Sequence, residues 1–320
     1  MRVLVTGSTG FVGTVVCQVL LDAGHAVTAA VRGLTDVVPG CRPVVVGNID
    51  GETKWQHALD QIDAVVHLAA RTHQDDGEDA LRTYQKVNVE GAAQLGRAAL
   101  TGGVRSFVYM SSIKVNGEYS SLDGSGKPIA FSGEDEPRPT TLYGHTKWRA
   151  EQVLSEMMQG SSTRLIILRP PLVYGLGLKA NLLRLIRAVD VGVPLPFAGF
   201  ENPRSLIDVK NLANAVALAV ATNCSASGPY TLADIDISIA DLVSAIAKAF
   251  GSRPRLFRLP VALLTTAALF TGHRDQLNKL TQPLIVERAH IMAAMDWSPQ
   301  GSLEESLYEI ARHYRSTRAK

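Results

Sequence analysis

The chain has 320 residues, 46% of them hydrophobic, with 32 basic and 30 acidic side chains and a formal net charge of +2. That length suffices for one nucleotide-binding domain and a smaller lobe, and the balanced charge without a basic tract gives no reason to expect nucleic acid. Cys17, Cys41 and Cys224 are scattered and show neither metal spacing nor a disulfide frame, so no metal site and a reduced cytoplasm are expected.

Arg2–Thr6 is a short apolar run bounded by glycine and reads as a buried strand. It begins so early that no leader peptide is expected. From Phe11 to Ala23 the apolar residues Phe11, Val12, Val15, Val16, Val19 and Leu20 recur at helical spacing. Between them lies Thr6-Gly7-Ser8-Thr9-Gly10-Phe11-Val12-Gly13. Strand, glycine turn and helix form the context of a dinucleotide fingerprint. Gly7 permits the tight turn, Gly10 lets the backbone approach a pyrophosphate, and Gly13 lets the helix pack closely. The free amides near Phe11 and Val12 would face the phosphate.

The second strand is Ala26–Val31. An NAD site usually places an acid at its end, on the ribose hydroxyls. Here Arg32 follows, and Asp36 comes only later. A guanidinium suits a 2′-phosphate, so NADP is expected, with NAD as the alternative. Further strands are predicted at Pro43–Val46, Ala64–Leu68, Ser106–Met110 and Arg164–Leu168, and helices near Thr53–Leu59, Asp79–Leu100 and Leu142–Met158. This alternation predicts an α/β fold, a Rossmann-type doubly wound parallel sheet with ligands at the carboxyl ends of its strands.

The fifth strand ends in Ser111-Ser112-Ile113-Lys114-Val115. A hydroxyl there can hold a substrate carbonyl; Ser112 is the first choice, Ser111 the second, and a simple strand-end cap the alternative. Tyr143-Gly144-His145-Thr146-Lys147 puts a phenol and an ammonium on one helix face. The lysine charge would lower the tyrosine pKa and let it act as acid or base. Between the two motifs, Asn116–Thr141 is long and polar, with Glu134-Asp135-Glu136; it reads as a loop at the mouth of the site or a mobile surface loop. After Arg169-Pro170-Pro171 helices dominate, which predicts a substrate lobe. Leu259–Phe270, the longest apolar stretch, is too short to span a bilayer. It reads as a packed helix of that lobe, with a membrane-surface face as the alternative.

These motifs, with Val66-His67-Leu68-Ala69-Ala70, Asn88-Val89-Glu90-Gly91 and Pro170-Pro171-Leu172-Val173-Tyr174-Gly175, resemble the extended short-chain dehydrogenase/reductases, in the nucleotide-sugar epimerase/dehydratase branch. The resemblance covers essentially the whole chain. It implies that Ser112, Tyr143 and Lys147 form the catalytic triad and that Lys147 bonds the nicotinamide ribose. It places Leu68, Ala69 and Ala70 on the adenosine side, Asn88 as support of the site, and Pro170 and Val173 beside the nicotinamide. Asn181, Leu182 and Arg204 would hold the nucleotide diphosphate, and Phe197 would pack the uracil; core packing is the alternative for Phe197, a surface ion pair for Arg204. The implied domains are residues 1–170, with a returning segment at 206–232, for the cofactor, and 171–205 with 233–320 for the substrate.

Two departures matter. Val115-Asn116-Gly117 stands where the family has Val-Tyr-Gly, and Ile113-Lys114 stands where 4,6-dehydratases carry an Asp-Glu pair. Dehydration is therefore disfavoured. The closer likeness is to bacterial UDP-sugar 4-ketoreductases of polysaccharide biosynthesis. It implies NADPH reduction of a UDP-4-keto-6-deoxy-hexosamine, with UDP-hexose 4-epimerisation on retained NAD as the alternative and a non-catalytic NADP sensor as the remote one. It also implies a cytoplasmic homodimer through a four-helix interface. Ala92, Ala93, Leu95, Ala98 and Ala99 would supply one helix, and Val153, Leu154 and Met157 the other.

Overall fold

The computed structural model describes residues 1–72, 79–178, 180–221, 224–259 and 282–318. Its centre is a seven-stranded, wholly parallel sheet in the order β3-β2-β1-β4-β5-β6-β9. The strands are β1 (Arg2–Thr6), β2 (Ala26–Val31), β3 (Arg42–Val45), β4 (Ala64–His67), β5 (Ser106–Met110), β6 (Arg164–Arg169) and β9 (Gly228–Thr231). The central strands β1, β4 and β5 are buried on both faces, as parallel strands between helices must be.

One face is covered by α1 (Phe11–Asp22) and α7 (Val209–Val220), which pack on Val3, Val5, Val66, Val108 and Ile166. The other is covered by α4 (Gly91–Thr101) and α5 (Leu142–Met158), on Leu4, Val65, Phe107 and Ile167. A second sheet holds β7 (Leu172–Tyr174), β8 (Pro203–Asp208) and β10 (Ile235–Ser238), in the order β10-β8-β7. Around it lie α6 (Ala180–Val191), α8 (Ile239–Ala249) and α10 (Leu303–Arg318), with the separate core of Leu182, Ile186, Leu206, Val243, Ile246 and Leu307. The remaining α-helices among the described residues are α2 (Gln56–Leu59), α3 (Ala80–Tyr84) and α9 (Ala289–Met295).

Three expectations change. The long helix at Asp79–Leu100 is α3 and α4 joined by a π-helical stretch, Gln85–Glu90. The Thr53–Leu59 helix shortens to α2, because Thr53 turns its hydroxyl onto Asn48 and Asp50. The 116–141 loop is fixed rather than mobile: Ser120 bonds Pro283 and Ile285, Phe131 bonds Ile285 and Glu287, and Asn116 Nδ2 donates to Ser132 O. Of the Leu259–Phe270 stretch, residues from 260 onward lie outside the described residues. No described helix is long and apolar enough to cross a membrane.

Candidate active site

The turn after β1 is built by glycine where nothing larger fits. Gly7 has φ +68°, and a Cβ there would stand 2.8 Å from Ala69 N. A Cβ on Gly13 would stand 2.0 Å from Gly7 O, so the helix is pressed against the turn itself. α1 has no side-chain cap and no acid in its first turn. Its first amides are therefore left for an anion. Thr6 locks the turn to the end of β4: its Oγ1 meets His67 Nδ1 at 2.7 Å and accepts the Ala69 amide at 3.2 Å. Leu68, Ala69 and Ala70 line this junction half-buried, and Arg32 and Gly33 lie exposed past the end of β2. A cradle that any Cβ would fill, facing an uncapped helix start, fits a dinucleotide pyrophosphate.

Tyr143 and Lys147 sit one turn apart on α5, whose start is capped by Thr141, accepting the Gly144 amide at 3.1 Å. A Cβ on Gly144 would lie 2.6 Å from Lys114 O, so the helix start abuts the Ser112–Val115 turn after β5. Ser112 is half-buried, and its Oγ accepts the Lys114 amide at 3.3 Å. It does act as a strand-end cap, but as an acceptor, which leaves its proton free to be donated.

Lys147 is 1% exposed and donates to Met110 O at 2.7 Å. Its Nζ lies 4.6 Å above the Tyr109 ring and 6.0 Å from the Tyr143 ring centre. Burial pulls its pKa down to about 7, against the opposing pull of Glu151. The Tyr143 phenol is not lowered by the lysine as expected; burial, and then Tyr84, push its pKa up. The ammonium is turned onto Met110 O rather than onto the phenol. Beside them His67 is fully buried, stacked 5.8 Å from Tyr109, with its pKa pushed down to about 3 by burial and Lys147. Among the described residues, His67 Nε2 and the Tyr109 hydroxyl have no hydrogen-bond partner.

Glu151, one turn beyond Lys147, was absent from the sequence expectations. It accepts Arg169 Nε at 3.0 Å and Nη2 at 2.5 Å, and the Ser111 hydroxyl also donates to it. Arg169 Nη1 continues to Asn116 Oδ1 and Gly133 O, both at 3.1 Å. Ser111 is thus 2% exposed and committed to Glu151, which removes it as a substrate contact. Asn88, expected to support the site, is buried beside it. Its amide accepts Arg71 N at 2.8 Å and donates to Arg71 O and Thr146 Oγ1, at 3.2 and 3.1 Å, so it braces the segment after β4 against α5.

Pro170 O accepts the Ile113 amide at 3.0 Å, and Val173 is half-buried on β7. Asn181 and Leu182 stand in the first turn of α6, with the Leu182 side chain in the second core. Phe197 is half-buried edge-on to Phe200, ring centres 6.1 Å apart. Arg204 is not a surface ion pair: its fork donates to Gln282 O at 2.8 Å and Glu118 O at 3.5 Å. Of the apolar surface expected at a dimer interface, Ala92, Leu95, Ala99 and Leu154 are fully buried within the chain and Ala93 is 7% exposed; Ala98, Val153 and Met157 stay half-exposed.

The profile of the NAD dependent epimerase/dehydratase family matches residues 3–233. The chain is 34% identical to a UDP-glucose 4-epimerase of Vibrio cholerae, over 98% of this chain and 95% of that one. It superposes on MoeE5 in complex with UDP-glucuronic acid and NAD with a TM-score of 0.78, at 24% identity, covering 99% of this chain and 100% of that one. For the UDP-glucuronic acid 4-epimerase of Bacillus cereus in complex with NAD the TM-score is 0.75 at 21% identity, covering 98% and 99%.

Proposed function

We propose a reaction for this chain, which belongs to the NAD dependent epimerase/dehydratase family: inversion of C4 in a UDP-linked hexose or hexosamine. The observation that carries it is the placing of Tyr143 and Lys147 one turn apart on α5, whose start abuts the Ser112–Val115 turn after β5. A nicotinamide cofactor, when bound, supplies a hydride acceptor and donor. The helix-start amides near Gly10, Phe11 and Val12 hold its pyrophosphate. Leu68 to Ala70 wall its adenosine side, and Pro170 and Val173 its nicotinamide side.

Tyr143 takes the proton from the C4 hydroxyl and later returns it. Ser112 donates to that oxygen throughout. Lys147 must carry its charge near the phenol for Tyr143 to lose a proton, and a pKa of about 7 leaves it titrating near neutrality. The Asn181–Leu182 backbone and Arg204 hold the diphosphate, and Phe197 packs the uracil. Residues 1–170 with 206–232 bind the cofactor; 171–205 with 233–320 bind the sugar nucleotide. The enzyme is cytoplasmic, serves polysaccharide synthesis and pairs two-fold through α4 and α5 by way of Ala98, Val153 and Met157.

One observation favours a second reaction, NADPH reduction of a UDP-4-keto-6-deoxy-hexosamine: Arg32, not an acid, follows β2. The test is proton NMR of UDP-glucose, and of UDP-N-acetylglucosamine, with the protein and NAD. Appearance of the C4 epimer without net NADH supports inversion. No epimer, with NADPH consumed on a 4-keto sugar nucleotide, replaces it with the reductase.

A further inference from the structure

We infer that the face formed by the end of α6, residues 192–195 and residues 253–258 docks on the surface of an anionic lipid bilayer. The inference is independent of the reaction proposed above. On α6, Leu183, Arg187 and Val191 follow one another at i, i+4 and i+8 and line one wall of a groove of about 650 Å³; Ile310, His313, Tyr314 and Thr317 of α10 line the other. Past the helix end the surface continues without a break. Arg255 Nη1 donates to Gly192 O at 3.2 Å, and Leu195 lies opposite Leu256 in a parallel bridge, its amide donating to Arg255 O at 2.8 Å and its carbonyl accepting the Phe257 amide at 3.1 Å. Leu195 and Leu256 turn inward onto the second core. Their neighbours Arg255 and Phe257 therefore turn outward, by the two-residue alternation of extended chain.

The outward surface mixes large apolar side chains with arginine. Val191 is 68% exposed, Val193 45% and Phe257 43%. Residues 251–259 contain Arg253, Arg255 and Arg258 and no acid, all three arginines exposed. On α10 the acids Glu304, Glu305 and Glu309 fall in the first half, away from the groove, and His313 in the second half lines it. In a chain of net charge only +2 this is a strong local excess. A neighbouring acid, Asp190, is half-buried.

Exposed apolar groups in a continuous patch mark a contact surface. Apolar tips set among arginines fit the headgroup boundary, where the tips enter the acyl edge and the guanidinium groups meet lipid phosphate. Charge argues against the other occupants. In a two-fold pairing of this face, arginine would meet arginine. Single-stranded nucleic acid is held by successive stacked aromatic rings, whereas this face sets the ring of Phe257 among the aliphatic Val191 and Val193.

The test is sedimentation of the full chain with vesicles of phosphatidylcholine, and of phosphatidylcholine mixed equally with phosphatidylglycerol. Binding to the mixed vesicles alone, lost in high salt, is expected. Arg255→Glu should weaken partitioning by roughly tenfold or more, and Val191→Ser with Val193→Ser should also weaken it, with thermal melts unchanged. Absence of binding to mixed vesicles overturns the inference, as does binding that both variants retain. Should a variant fail to fold, the headgroup and salt dependence of the unaltered chain decides alone. Dimerisation by light scattering, or oligonucleotide binding, that these variants abolish while vesicles stay unbound, would assign the face to a second copy or to nucleic acid instead.

Discussion

Arg169, the last residue of β6, grips Glu151 of α5 with two bonds of 3.0 and 2.5 Å, both side chains at most 5% exposed. Glu151 is one turn from Lys147, and the same guanidinium reaches the 116–141 loop at Asn116 and Gly133. Helix, strand and loop are joined at one buried charge pair. Glu151→Gln leaves Arg169 buried without its countercharge, which should cost about 3–5 kcal/mol of stability. Urea denaturation measures it. Loss below about 1 kcal/mol would mean that water or another group takes over the guanidinium.

Tyr143→Phe removes the phenolic hydroxyl and keeps the ring. Turnover should fall on the order of a hundredfold or more, with cofactor affinity little changed by calorimetry. Near-normal turnover would mean that another group carries the proton.

Lys147→Met tests the buried ammonium through pH. The folded chain releases the Lys147 proton near pH 7, whereas the unfolded chain keeps it until the ordinary 10.5. Between those values the unfolded state binds more protons, so stability rises with pH there and is flat below. The methionine variant should lack that rise, and the two proteins should differ most at neutral and lower pH, in favour of methionine. Melting temperatures across this range check it. Parallel curves would mean that Lys147 stays charged in the fold.

Arg32→Ala should weaken NADP more than NAD. A charge-assisted contact is worth about 1.5–3 kcal/mol, or roughly ten- to a hundredfold in affinity. Equal losses for the two cofactors would leave Arg32 without a part at the 2′-phosphate.

Arg204→Ala should weaken UDP itself, measured by calorimetry with no sugar present. Remote binding energy also positions the reacting carbon, so turnover should fall too. Lys is a poor substitute for a planar fork. Unchanged UDP affinity in a folded variant would confine Arg204 to its carbonyl partners Gln282 and Glu118.

The glycine turn, β5 and α5 were legible in sequence because their signals are local. Glycine spacing, an unbroken apolar run and a helix pattern each lie within a few residues, and the structure places β5 and α5 at the expected bounds. Glu151 escaped notice because a buried acid on a helix that also carries Arg149 and Glu156 looks like any solvated one. Its partner Arg169 stands on the next strand, and only the fold brings it over. The anchoring of the 116–141 loop is out of sight for the same reason, since Ser120 and Phe131 are tied to residues 283–287, far along the chain. The orientation of Lys147 was invisible too: helical spacing puts it beside Tyr143 but does not say which acceptor it chooses.

The wide turn at Gln85–Glu90 sets a rule of length for this part of the molecule. A π-helical turn holds more residues than an α-helical one, and each residue advances an α-helix by about 100°. The segment therefore acts as a phase shift between two helices that answer to different neighbours. α4 faces the sheet with Ala92, Leu95 and Ala99, whereas α3 turns Tyr84, 1% exposed, toward Tyr143. Deleting a single residue here would restore a regular helix and swing one half out of register, pulling either Tyr84 or Asn88 away from its post. Insertions and deletions should therefore be tolerated on either side of this turn and not within it.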